Sequence, residues 1–265
     1  MDKKKKPDVV FLAAAKVGGI LTNSLNQTNF LYENLTIQNN VIKAAAENNI
    51  EKLIFLGSSC IYPKETSQPI SEKALLRGPL EKTNEGYALA KIAGVKLCSY
   101  FYNEYNKDFI SVMPTNLYGP NDNYDLETSH VLAALIKKIA TAKLKEIKNV
   151  EIWGTGKPRR EFLHVNDLAD ALIFLSKNFS DHEHINIGTS KDISIKELAQ
   201  TISDIIGWKG KFIFNNNMPD GTMLKRLDTT KLQNLGWYPK IDIKTGIKKT
   251  IKDFLELHKK NILKV

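Results

Sequence analysis

KLIFLGSS, residues 52–59, is an apolar run closed by a glycine and two serines. Apolar residues at consecutive positions bury both faces of a strand, which is how strands inside a parallel sheet read. DVVFLAA at 8–14 and FISVMPT at 109–115 are of the same type. Between these runs, segments 28–49 and 84–106 carry apolar residues at helical spacing, with Thr28 and Asn84 as expected N-caps. The order strand, helix, strand, helix, strand predicts an α/β fold built on a doubly wound parallel sheet.

After Pro120 the pattern changes. Helices are expected near 131–148, 167–178, 194–207 and 243–260, and short strands near 150–153, 184–187 and 211–214, with a loop rich in Gly, Pro and Arg after 153. This half reads as a smaller lobe packed on the sheet, with loops between the lobes free to hold a ligand.

The chain has 265 residues with 42% hydrophobic content, enough for one large domain or two modest ones. No apolar run approaches the ~18 residues of a membrane span, and the charged N-terminus lacks the apolar stretch of a secretion signal, so a cytoplasmic protein is expected. The net charge of +9 comes from lysines scattered among acids, apart from a lysine run at 3–6, which argues against a nucleic-acid stripe. The two cysteines, Cys60 and Cys98, have no metal-ligand spacing and read as reduced thiols. In so lysine-rich a chain the pair Arg159–Arg160 stands out, because guanidinium gives the planar, bidentate phosphate contacts that lysine cannot.

Tyr87 and Lys91 are one helical turn apart, so their side chains share a face. A cation there favours phenolate, and the expectation is a tyrosine that exchanges protons near neutral pH. Ser58 and Ser59 follow directly on the 52–57 strand, where an open parallel sheet presents its ligand loops. A hydroxyl there can hydrogen-bond a substrate carbonyl beside the tyrosine.

This Ser, Tyr, Lys set resembles the short-chain dehydrogenase/reductase superfamily in its extended, sugar-nucleotide class. The segments AAAKVGGI (13–20), FLGSSCIYP (55–63), TNEGYALAKIAG (83–94), VMPTNLYGP (112–120) and REFLHVNDLA (160–169) resemble those of the GDP-L-fucose synthase family. HINIGTS (184–190), PDGT (219–222) and LGWYP (235–239) extend the likeness over nearly the whole chain.

The resemblance implies an NADPH-dependent enzyme that converts GDP-4-keto-6-deoxy-D-mannose to GDP-L-fucose by 3,5-epimerisation and 4-keto reduction. It implies Ser58, Tyr87 and Lys91 at the reduced carbonyl. Cys60 and His130 take the acid and base roles at C3 and C5, since Cys60-Ile61-Tyr62 stands where related dehydratases carry an acidic pair. Leu56, Gly57, Ser58, Ser59, Lys91, Pro114, Thr115, Asn116, Leu117 and His130 fall at positions that contact NADP(H), and Lys138, Trp153, Arg160 and Asp220 at positions around GDP. Cys98 reads as core and Arg159 as solvated. Residues 223–226, Met-Leu-Lys-Arg, depart from the family pattern and receive no diphosphate contact.

It further implies a partial NADP-binding Rossmann-like domain at 1–120 and a mainly substrate-binding lobe at 121–265, some of whose segments return to the first domain. A homodimer through the Tyr87 helix and its predecessor is expected, with no metal. The family's G-x-x-G-x-x-G turn does not occur in these residues, and Val17-Gly18-Gly19 is no substitute. The expectation is a chain that starts after the first strands. Two other readings remain at this level: an impaired fragment that binds GDP-sugar only, and a reductase or epimerase of another nucleotide sugar.

Overall fold

The computed structural model of the chain describes residues 6–218 and 220–260. Lysines 3–5 of the basic run and Pro219 of the PDGT segment lie outside the described residues. In chain order the first half forms β1 (Val9–Leu12), α1 (Ile20–Leu25), α2 (Gln27–Glu47), β2 (Lys52–Leu56), α3 (Glu85–Tyr105), β3 (Asp108–Pro114) and β4 (Asn116–Tyr118). The second half adds α4 (Val131–Leu144), β5 (Asn149–Trp153), β6 (Arg159–His164), α5 (Val165–Asn178), β7 (Ile185–Ile187) and β8 (Asp192–Ser194). It closes with α6 (Ile195–Ile206), β9 (Lys211–Asn215), β10 (Leu224–Lys225), α7 (Thr230–Asn234) and α8 (Ile243–Lys259).

The main sheet has the order β1-β2-β3-β7, every pair parallel. The apolar run of β2 serves both faces, as a strand's alternation requires. Leu53 and Phe55 pack toward α2 and α3 with Ile42, Ile92 and Val95, while Ile54 faces the other way, with Leu168 and Leu175 of α5. Leu53, Ile54 and Phe55 are fully buried, each contributing about 2 kcal/mol. A third core, under α4, α6 and α8, supports β5 and β9. Cys98 belongs to the α3 side of the sheet core.

Three sequence expectations need correction. The stretch after Trp153 is not only loop: β6 starts at Arg159, pairs with β4 and β10, and runs straight into α5. Its strand signal is masked by two arginines at its start, whose partners come from distant segments. The helix expected to 148 stops at Leu144, where Glu146 takes a positive φ and the Ile147 N–H closes on the Ala142 carbonyl. Thr28 is no N-cap, since α2 begins at Gln27 with Asn26 in the cap position and no side-chain cap bond.

Glu161 on β6 is wholly buried and holds the ligand-side loops together. Its carboxylate accepts backbone N–H bonds from Thr189 (2.5 Å), Ser190 (2.6 Å) and Leu227 (2.7 Å). Glu161→Ala strands three backbone donors, the Leu227 N–H buried and the Thr189 and Ser190 N–H groups part-buried, and is expected to cost about 3 kcal/mol, read as a lowered urea midpoint. A loss below about 1 kcal/mol would show that water replaces the carboxylate at no cost.

Candidate active site

The parallel register sets the site. Leu56 of β2 lies opposite Val112 of β3, so the loops 56–59 and 114–117 leave neighbouring strands at their carboxyl ends. The Gly57 N–H bonds the Val112 carbonyl at 2.9 Å and the Thr115 N–H the Ile187 carbonyl at 3.0 Å, which keeps both loops against the sheet. A side chain at Gly57 would have to displace the buried Met113 terminus, since a Cβ there would lie 2.3 Å from the Met113 methyl. Pro114 ends β3. Thr115 and Asn116 donate from their side chains to the Glu161 carbonyl (3.3 and 2.8 Å), joining this corner to β6, and Leu117 continues into β4.

Tyr87 and Lys91 share a face of α3, with the ammonium 5.8 Å from the Tyr87 ring centre and 4.8 Å from that of Phe55. Close approach of α3 to its surroundings depends on glycine: a Cβ on Gly86 would lie 2.6 Å from the Gln27 carbonyl oxygen. Lys91 is 3% exposed and donates to the Leu56 carbonyl at 2.8 Å, with no carboxylate in ion-pair range among the described residues. Burial brings its pKa down to about 8.

The expected lowering of the phenol's pKa is overturned. Burial, reinforced by the neighbouring Cys60, holds Tyr87 above the ordinary tyrosine range, and the Ser58 hydroxyl beside it offsets this only in part. Lys91 is committed to a carbonyl and lies over the ring instead of reaching the hydroxyl. A phenol in this state donates a proton rather than accepting one.

Cys60 follows Ser59 in a short 3-10 turn whose N-cap, Ser58, accepts the Cys60 N–H at 3.2 Å. The sulfur is half-buried. Burial alone would push the thiol up, but the Lys225 ammonium and hydrogen bonds from Ser58, Lys225 and Asn84 outweigh it, and the thiol lies below its usual value. His130 occupies the N-cap position of α4 without a capping side-chain bond, so it is no capping histidine. The residue is exposed, yet enough protein surrounds its ring to disfavour the imidazolium. No hydrogen bond among the described residues links it to Cys60 or Tyr87; the loop just before it bonds the start of α1, where the Gly19 N–H donates to the Thr128 carbonyl and the Thr22 hydroxyl to the Glu127 carbonyl.

The four residues expected around GDP come together near the turn that follows Trp153. Lys138 lies 5.4 Å above the Trp153 ring, donates to the Glu151 carbonyl, and leaves Trp153 43% exposed. Asp220 accepts the Thr155 N–H (2.7 Å) and hydroxyl (2.8 Å), so its carboxylate is already engaged by the turn that follows Trp153. That turn needs Gly154, which has φ +73° and whose Cβ would lie 2.2 Å from the Asp220 carboxylate. Arg160 bonds the Thr222 and Asp220 carbonyls on one side of β6, while Arg159, on the other, pairs with Asp192 and with Glu197 at 3.2 Å. Arg159 is therefore an ion-pair residue and not simply solvated. Arg226 shares Asp192 at 3.1 Å.

Lys225, which sequence reasoning left unassigned, connects the Arg160 strand to Cys60. It is the register partner of Arg160 and brings Nζ to 3.5 Å from Cys60 Sγ. Asn84 was expected only as a cap, yet its amide donates to the same sulfur at 3.2 Å. No local sequence signal marks either contact.

Of the residues at the loop ends of β2 and β3, Lys91 is the buried cation that could hold the ribose of NADP(H) beside Ser58, with donors left over after its bond to the Leu56 carbonyl and no carboxylate partner among the described residues. Among the described residues no cluster of His, Cys, Asp or Glu has metal-site geometry, and no helix is long and apolar enough to cross a membrane.

Residues 1–188 match the profile of the NAD dependent epimerase/dehydratase family. The chain is 51% identical over 252 residues to a GDP-L-fucose synthase of Sinorhizobium fredii, covering 95% of this chain and 80% of that protein. Among solved structures it resembles a GDP-6-OMe-4-keto-L-xylo-heptose reductase from C. jejuni, with a TM-score of 0.91 and 38% identity over 97% of this chain and 84% of that one. A GDP-L-fucose synthetase from Naegleria fowleri bound to NADP aligns with a TM-score of 0.89 at 31% identity, over 97% and 79% of the two chains.

Proposed function

The chain belongs to the NAD dependent epimerase/dehydratase family and, within it, to the GDP-L-fucose synthases, and from that premise we propose that it converts GDP-4-keto-6-deoxy-D-mannose to GDP-L-fucose with NADPH. What carries the reading is the juxtaposition of two different proton-transfer groups, the Cys60 thiol faced by the Lys225 ammonium at 3.5 Å and the Asn84 amide at 3.2 Å, and the neighbouring Tyr87 phenol, which burial holds protonated. Epimerisation of a 4-keto sugar needs a base at the carbons flanking the carbonyl, and reduction needs an acid at its oxygen.

In this reading Cys60 removes the proton from C3 or C5, and the electron pair passes to the C4 oxygen as an enolate. His130 returns a proton to the opposite face of the carbon. NADPH, when bound, supplies the hydride that reduces C4. Tyr87 then donates its proton to the C4 oxygen, with Ser58 orienting that oxygen and Lys91 supporting the ribose and the phenol's charge. Leu56 to Ser59 and Pro114 to Leu117 line the nicotinamide side. Lys138 and Arg160 neutralise the diphosphate, and Trp153 walls the nucleotide. Asp220 acts through the Thr155 turn, holding that wall in place.

We assign residues 1–120 mainly to the cofactor side and 121–265 mainly to the substrate side. A homodimer through α2 and α3 fits their exposed Tyr32, Tyr100 and Tyr105; a monomer at micromolar concentration in sedimentation would remove that assignment.

The test is a reaction with GDP-4-keto-6-deoxy-D-mannose and NADPH in deuterium oxide. GDP-L-fucose labelled at C3 and C5 is expected. A reduced product with no label, or label without any reduction, overturns the combined activity.

A further inference from the structure

Asn84 and Lys225 surround the Cys60 sulfur without any assigned part in the reaction. Asn84 sits at the N-cap of α3, where an asparagine ordinarily accepts a backbone N–H of the first turn, but it makes no such bond. Gln27, the first residue of α2, does so instead: its side-chain oxygen Oε1 accepts the Gly86 N–H at 2.8 Å and its side-chain amide donates to the Lys82 carbonyl at 2.8 Å. Asn84 is thereby free to turn its amide to Cys60 Sγ at 3.2 Å, with its own carbonyl oxygen buried and unpartnered among the described residues.

Lys225 arrives from the opposite side, 165 residues further along the chain, at 3.5 Å from the sulfur. Its strand is fixed rather than loose. β10 pairs with β6, the Arg226 N–H bonds the Gln68 side chain at 3.0 Å, and the Leu227 N–H bonds buried Glu161 at 2.7 Å.

The groups facing the sulfur are thus Ser58 from the end of β2, Asn84 and Tyr87 from the start of α3, Lys225 from β10 and, at longer range, Arg160 from β6. An amide N–H and an ammonium can only donate, and a sulfur that receives two donors is better matched as thiolate than as thiol.

From this geometry we infer that Lys225 and Asn84 are positioning residues that hold Cys60 as an oriented thiolate. The inference rests on the function proposed above, in which the thiolate takes a proton from C3 or C5: the C–H bond breaks, the S–H bond forms, and the pair moves to the C4 oxygen. A Lys225 that served only the substrate diphosphate would leave the thiol's titration untouched.

The test measures alkylation of the full chain by iodoacetamide against pH, followed by intact mass, with Cys98, 1% exposed, as the slow internal reference. Lys225→Met is expected to move the midpoint of Cys60 alkylation upward and slow the reaction at pH 7 about tenfold. Lys225→Arg should retain most of the rate, and Asn84→Ala should slow it about threefold. Should the Met variant lose its thermal transition, the comparison of Lys225→Gln with Lys225→Arg carries the same contrast. An unchanged midpoint in a folded Lys225→Met or Lys225→Gln chain overturns the inference. Alkylation involves no sugar nucleotide, so the two readings fail separately. A shifted midpoint with no deuterium exchange into GDP-4-keto-6-deoxy-D-mannose keeps the thiolate cluster and removes the sugar assignment; an unshifted midpoint with normal exchange does the reverse.

Discussion

Cys60→Ser should lower exchange of the C3 and C5 protons of GDP-4-keto-6-deoxy-D-mannose by about a thousandfold while leaving the thermal transition of the chain in place. Serine is close in size, and the Cys60 side chain is only half-buried, so packing changes little. The chemistry changes a great deal, because an alcohol in the same field of Lys225 and Asn84 stays protonated far above neutral pH, whereas the thiol is already below its ordinary value. Exchange is read by mass spectrometry in deuterium oxide without reduction, which isolates the proton step. If the serine variant exchanges at the parent rate, Cys60 is a small packing residue and the base lies elsewhere.

The second large effect is expected at the phenol. Tyr87→Phe should cut reduction at C4 by about a thousandfold and leave proton exchange at C3 and C5 within about threefold, because the phenol serves the oxygen and the thiol serves the carbons. The pH dependence of the parent reaction carries a related signature. Lys91 is charged below its pKa of about 8 and neutral above it, so reduction should decline as the pH rises through that value. Lys91→Arg, which stays charged, should move that limb upward. Loss of exchange together with reduction in Tyr87→Phe would refute the division of labour, and a flat profile through pH 8 would remove Lys91 from it.

How much of this was legible in the sequence follows from the range of each interaction. Strand and helix order could be read because apolar spacing is a local property, and KLIFLG needs no knowledge of its neighbours to demand burial on both faces. The shared face of Tyr87 and Lys91 is equally local, since helical periodicity alone creates it. β6 was lost because charge outweighed pattern: Arg159 is tolerable at a strand start only once Asp192 and Glu197 arrive from another part of the chain.

The state of the catalytic candidates was decided by tertiary structure alone. Spacing suggested that Lys91 would lower the phenol's pKa, but burial against the sheet raises it, and desolvation depends on everything packed around a group rather than on its helical neighbour. Asn84 carries the residue type of a helix cap, and only the arrival of Gln27 from α2 frees it for Cys60. The sequence by itself determined which chemical groups the chain possesses and on which local faces they stand. The ammonium that meets the thiol, 165 residues away, was chosen by the path of β10 beside β6, because chain separation carries no record of which side chains a fold will bring within hydrogen-bond range.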